Sequence, residues 1–204
     1  MITKTRNTAP RSASKAAAVL GCAAVLAVTA CSRPPSPSTG KVHTTTALRA
    51  AHAPAGWHRA TLPVGGAVLA YPPSMHLVSG DAGTLSAARI SGSGQYLLYL
   101  NVTPKQGREN LHNWVGFRLD HQRDEETPNV HELASQTGVR FFGGTGTCVT
   151  DSYVTKLDAH HFTEIACFVR GRTSATVIVA AAPTANWASA AGVLRRAIAG
   201  YRVR

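Results

Sequence analysis

Residues 147–182 read TCVTDSYVTKLDAHHFTEIACFVRGRTSATVIVAAA, and this stretch decides the fold. Its apolar and β-branched runs fall at 147–155, 162–170 and 173–182, each of strand length. The last is centred on Val and Ile and holds no charge, which marks a buried strand. A hairpin that sets Cys148 against Cys167 has its centre between Leu157 and Asp158. That leaves Lys156-Leu157-Asp158-Ala159 as a short turn. Directly opposed antiparallel residues lie roughly 4.5–5.5 Å apart at Cα, within disulfide reach. The same register sets Asp151 against Glu164, and like charges so placed are unfavourable. A slip of two residues removes that clash and keeps the cysteines neighbours.

Downstream, Pro183-Thr184 opens a final helix. Trp187, Ala190, Ala191, Leu194 and Ile198 keep helical spacing, and Gly200 ends it. Upstream lies a strand over 138–142 and the Gly-rich Gly143-Gly144-Thr145-Gly146-Thr147. Further back, Asn110 can cap a helix whose stripe is Leu111, Trp114, Val115, Arg118, Leu119 and Gln122, with Pro128 as its stop. The strand over 95–103 carries Tyr96, Leu98, Leu100 and Val102 on one face, and Leu97 and Tyr99 on the other. A strand apolar on both faces is central or covered. Residues 85–90 form another strand. Runs at 57–61 and 67–71 flank Pro63-Val64-Gly65-Gly66, a hairpin signal. Strands and helices do not alternate, so the expectation is an α+β domain, a mainly antiparallel sheet with two packed helices.

The N-terminus speaks to location. Residues 1–30 hold Lys4, Arg6, Arg11 and Lys15 and no acid, then a small-residue apolar run over 16–30. That is the pattern of a cleaved secretory signal, and the run is shorter than the roughly 20 residues of a membrane span. Val28-Thr29-Ala30-Cys31 resembles a bacterial lipobox, which implies that Cys31 becomes the lipidated first residue of the mature chain. Cys22 competes but sits too close to Lys15, and an ordinary signal-peptidase cut is the plainer alternative. The resemblance implies at least a diacylglyceryl group, and two acyl chains anchor stably. Ser32-Arg-Pro-Pro-Ser-Pro-Ser-Thr-Gly then starts a Pro/Ser-rich tether over 31–54 that cannot build a core. The domain proper is expected over 55–204.

The chain has 204 residues, 21 basic and 10 acidic, 44% hydrophobic and 15% charged, with net charge +11. Such apolar content argues against bulk disorder. Loss of residues 1–30 takes away four positive charges and no negative one, leaving 17 basic against 10 acidic residues, or +7. No Lys/Arg run exceeds the pair Arg195-Arg196, so a nucleic-acid partner is not expected. A solvated basic surface explains the charge, and attraction to anionic head groups is the other reading. The Arg-, Ala- and Gly-rich composition looks like that of a high-GC, actinobacterial source.

A Tyr-Pro-Pro at 71–73 closing an early strand, a mid-chain helix, a meander of strands and a short terminal helix resemble the Mog1/PsbP-like fold over about 57–204. Bacterial lipoproteins, actinobacterial ones included, share it, and a cystatin-like or other α+β sandwich has a similar order. The resemblance implies a non-enzymatic envelope or assembly role and transfers no catalytic motif.

Cys148 and Cys167 remain in the domain, and in an exported chain they are expected to pair, with two buried free thiols as the alternative. Nine His invite a metal, but adjacent His160-His161 point to opposite strand faces, His112, His121 and His131 are dispersed, and no zinc spacing occurs. The Gly143–Thr147 run lacks the Lys-Ser/Thr of a phosphate loop and precedes a strand. No Gly-x-Ser-x-Gly or Ser-x-x-Lys set is present, and Asp124-Glu125-Glu126 reads as solvated surface. No cofactor is expected. Three functions stay open. The first is a non-enzymatic binding or scaffolding module that docks an envelope protein, through a sheet edge or the turn at Gly143-Gly144. The second is a carrier of a lipid or apolar ligand lined by Trp57, Trp114, Trp187, Phe141 and Phe142. The third is a hydrolase.

Overall fold

The computed structural model describes residues 47–127 and 129–204. The signal segment, Cys31, Cys22, most of the tether and the Pro128 helix stop lie outside the described residues. The strands are β1 (His58–Thr61), β2 (Ala67–Tyr71), β3 (His76–Val78), β4 (Leu85–Ile90), β5 (Tyr96–Pro104), β6 (His131–Phe141), β7 (Gly144–Val154), β8 (His161–Gly171), β9 (Ala175–Pro183) and β10 (Arg202–Val203). The helices are α1 (Trp114–Glu125) and α2 (Trp187–Ala199). A seven-stranded sheet runs β3-β4-β5-β9-β8-β7-β6, and a small one runs β1-β2-β10, with every pairing between these strands antiparallel. The α+β expectation therefore stands, with two helices on an antiparallel sheet.

The large sheet has two covered faces because β5, β8 and β9 are apolar at both parities. One face carries Leu98, Leu100, Val102, Ile165, Cys167, Val169, Ile178 and Ala180. It packs under α2 through Ala190, Leu194, Ala197 and Ile198, and under Leu69, Tyr71, Tyr201 and Val203 of the small sheet and its flank. The Tyr201 hydroxyl, fully buried, is satisfied by Thr176 Oγ1 at 2.7 Å. The opposite face carries Val149, Ala166, Phe168, Val177 and Val179 beneath α1.

Helix α1 is a mostly polar helix that holds the sheet by few points. Trp114 is buried and donates Nε1–H to the Ala166 carbonyl at 3.0 Å. Its ring lies 6.0 Å from Phe168. Asn110 Oδ1 accepts from the N–H groups of His112 and Asn113, so it caps the turn before the helix, and regular helix starts four residues later than Asn110, at Trp114. The buried Glu109 carboxylate accepts from the Gln106 and Gly107 N–H groups at 2.6 and 2.8 Å, which pins the same loop.

The β7–β8 hairpin has the register derived from its cysteines. Cys148 faces Cys167, and the two form a disulfide with Cα atoms 4.0 Å apart. The turn closes through Thr155 N–H to the His160 carbonyl, with Asp158 and Ala159 at positive φ. A loop of this size is worth about 3 kcal/mol through its effect on the unfolded chain. The two-residue slip does not occur: Asp151 stands opposite Glu164.

Several expectations need correction. Residues 47–54, assigned to the tether, belong in part to the folded body. Leu48 exchanges two hydrogen bonds with the Gln136 side chain, and the Ala50 and Ala51 N–H groups reach the Arg140 and Ala199 carbonyls. β6 begins seven residues before the expected 138, and the short β3 and β10 add to the expected strands. Tyr96 does not share a face with Leu98. A bulge pairs Ile90 with Tyr96 and Arg89 with Leu98, skipping Leu97, and a bulge re-aims the side chains around it. Tyr96 thereby joins Tyr99, ring centroids 5.3 Å apart.

Candidate functional site

Helix α1 covers only part of its face of the sheet, and the chemistry gathers along its open flank. Glu132, Asp151 and Glu164 form a cross-strand row on β6, β7 and β8. Asp151 and Glu164 are fully buried. Arg118, the charged member of the α1 stripe, reaches down to them: its Nε and Nη2 both donate to Glu164 Oε1 at 2.7 Å. Burial works against the Arg118 charge, but the Glu164 carboxylate and its hydrogen bonds outweigh that, with Asp151 and Tyr153 adding, so the guanidinium is held above its ordinary value.

The like-charge clash is resolved by a proton. Burial, then the Glu164 charge, pushes the Asp151 carboxyl up to about 8, with Glu132 adding and Arg118 opposing. Asp151 is therefore protonated at neutral pH. Neither Asp151 oxygen nor Glu164 Oε2 has a hydrogen-bond partner among the described residues. With Asp151 neutral, the pair carries one negative charge rather than two, which Arg118 matches.

Over this floor runs a trough. A cavity of about 490 Å³ lies between α1 and β4–β5, bordered by Arg118, His121, Glu164, Tyr99, Asn101 and Tyr153. Tyr99 and Tyr153 also line an adjoining space of about 220 Å³, together with Tyr96 and Phe162. Tyr96, Thr155 and Phe162 border in turn an open space of about 770 Å³ among the β4–β5 and β7–β8 turns, where His160 and His161 stand. Tyr153 and Phe162 rings stack 6.0 Å apart. On the β4–β5 wall, Asn101 Nδ2 donates to Ser86 Oγ at 2.9 Å, and Ser86 meets the Tyr99 hydroxyl at 3.3 Å. At the helix rim His121 pairs with Glu125 at 3.2 Å. The Tyr153 hydroxyl is pushed upward by burial and by Glu164, so it stays a neutral hydrogen-bonding group.

The aromatics expected to line a ligand pocket do not line this one. Trp114 and Phe141 are buried in the two cores, and Trp57 and Trp187 pack against one of them. Phe142 lies under the Arg202 guanidinium, 4.6 Å away. Nor is the Gly143-Gly144 turn free backbone. Gly143 has φ 85°, and a Cβ there would collide with the Val203 carbonyl, as one on Gly144 would with the Arg170 carbonyl. The Val203 N–H already bonds the Phe142 carbonyl at 2.9 Å. Val203 of β10 occupies that place. Of the carboxylates at the end of α1, Glu126 accepts the Lys156 N–H at 3.1 Å and the Asp124 carbonyl accepts Lys156 Nζ at 2.6 Å. Among the described residues no three His, Cys, Asp or Glu side chains converge as metal ligands, and no helix is long and apolar enough to cross a membrane.

No family model matches the chain, and no curated protein matches it. Solved structures do. Cyanobacterial PsbP from Synechocystis is 10% identical with a TM-score of 0.52, the match covering 72% of this chain and 92% of that one. LpqN of Mycobacterium tuberculosis, described as involved in cell envelope biogenesis, is 10% identical with a TM-score of 0.45 over 72% of this chain and 90% of that one. A Pseudomonas aeruginosa protein of unknown function is 11% identical, TM-score 0.42, over 73% and 95%. The fold is PsbP-like.

Proposed function

We propose that this chain is a non-enzymatic, lipid-anchored protein of the bacterial cell envelope whose domain binds a ligand in the trough beside α1. The trough carries the reading: an open, aromatic-walled channel of ligand size that ends on a buried Arg–Glu pair. Binding is favoured over turnover because the two carboxyls beneath it are spoken for. Glu164 is tied to Arg118, Asp151 holds a proton, and both are buried. A general acid or base must reach the atom it serves, and the oxygens left without partners have almost no accessible surface. The anchored location rests on the sequence alone, on the basic and apolar leader and on Val28-Thr29-Ala30-Cys31.

Two experiments test this. Cys31→Ala should release the chain from membranes or leave it uncleaved, and a variant that stays bound with normal processing contradicts the anchor. Native mass spectrometry of the chain purified from its own membranes should show added mass that Asn101→Trp, which fills the trough, abolishes. Equal spectra for the two proteins would remove the trough from the proposal. Turnover of any substrate lost on substitution of Arg118 or Glu164 would move the protein to the enzymes.

A further inference from the structure

We infer that the ligand of the trough is a neutral, hydroxyl-rich molecule of the saccharide class. The inference rests on the trough being a binding site and names its chemistry.

Charge excludes the first alternatives. In a chain of net +11, this channel is a place of acid excess. Asp81, Glu125 and Glu164 border it, with Arg118 as the one Arg or Lys among the described residues. Arg118 is committed to Glu164 and only 14% exposed, so an anion finds no unmatched cation there. A bare cation finds carboxylates only at the solvated rim, at Asp81 and at Glu125 beside His121, because the buried carboxylate is already matched by Arg118.

What remains is a surface of neutral hydrogen-bonding groups. Ser86, Tyr99, Asn101, Thr103 and Gln106 stand on one side and Tyr153 on the other. Asn101 and Ser86 are already linked, which fixes the orientation of their remaining donors and acceptors. Such pre-oriented amide and hydroxyl groups suit a ligand that both donates and accepts at each position, as sugar hydroxyls do. Truncated analogues lacking those hydroxyls would strand buried polar groups. The rings of Tyr99, Tyr153, Tyr96 and Phe162 line the adjoining space. A flat ring with C–H groups on its faces and hydroxyls at its edges matches this alternation of rings and polar edges. A fatty chain would leave the polar wall unsatisfied. The space beside Asn101, about 490 Å³, falls within the roughly 300–1,000 Å³ of small-ligand sites, and a smaller one of about 220 Å³ adjoins it at Tyr99 and Tyr153.

The test is a titration of the full chain, in a detergent without a sugar head group, followed by NMR. The probes are maltose, cellobiose and diacetylchitobiose, with decanoate and choline in parallel. At least one disaccharide should shift Asn101, Tyr99 and Tyr153 with saturable, micromolar to millimolar affinity. Asn101→Trp and Tyr99→Ala should each weaken it at least ten-fold while the spectrum elsewhere stays folded. Decanoate or choline shifting these residues with no saccharide doing so overturns the saccharide assignment and leaves a binding trough. No probe shifting them, or saccharides shifting only residues elsewhere, overturns both.

Discussion

Arg118→Met should lower the melting temperature by about 10 °C at neutral pH. The substitution keeps the aliphatic stem and removes the cation paired with Glu164. A buried carboxylate is then left uncompensated, with Asp151 directly across the strand pair. Breaking a buried pair in this one-sided way costs about 3–5 kcal/mol, and for a domain of this size each kcal/mol moves the transition by roughly 2–4 °C. The complete replacement behaves differently. Arg118→Met with Asp151→Val and Glu164→Leu should return stability to the wild-type level or above, because apolar residues of like volume avoid the desolvation cost. Scanning calorimetry reads both. A single variant that melts with the wild type would show that the pair is worth nothing. A triple variant as unstable as the single would show that the trio is a structural requirement of the fold.

Asp151→Asn should change the pH dependence of stability. Folding raises the Asp151 carboxyl from 3.8 to about 8, so between those values the native state holds a proton that the unfolded chain has released. Its contribution to stability is full below pH 3.8, declines as pH rises, and is gone above about 8. Each unit of such a shift corresponds to about 1.4 kcal/mol, so the whole decline is of the order of a few kcal/mol. Glu164, Arg118, Tyr153 and Glu132 are the charged or titratable groups that face it. Asparagine is of like size and cannot ionise, so its stability should stay flatter from pH 4 to 8. Urea unfolding across that range measures the difference. Parallel curves for the two proteins would show that Asp151 is ionised in the native state.

The hairpin of β7 and β8 was legible because two covalent facts met in it, a pair of cysteines and a turn of the right length between them. Arg118 was legible as a position on the α1 stripe but not as a partner, since Glu164 lies 46 residues away and a stripe says nothing of what it faces. Asp151 against Glu164 read as an argument against the true register. Like charges are unfavourable only while both are charged, and burial, which the sequence does not display, protonates one. Tyr96 fell on the wrong face because a bulge at Leu97 breaks the alternation that strand reading relies on. β3 and β10 have three and two residues, too few for any period. The first half of β6 is exposed on both faces along the sheet edge, so it carries no apolar pattern. Gly143-Gly144 read as open turn because nothing in the sequence shows that Val203 returns to close it.

The crystal structure of the chain purified from its own membranes tests the central claim most directly. The account predicts density for a bound molecule in the channel between α1 and β5, against the rings of Tyr99 and Tyr153 and within reach of Asn101. Ordered water alone in that channel, with an occupant on another face of the domain, would contradict it.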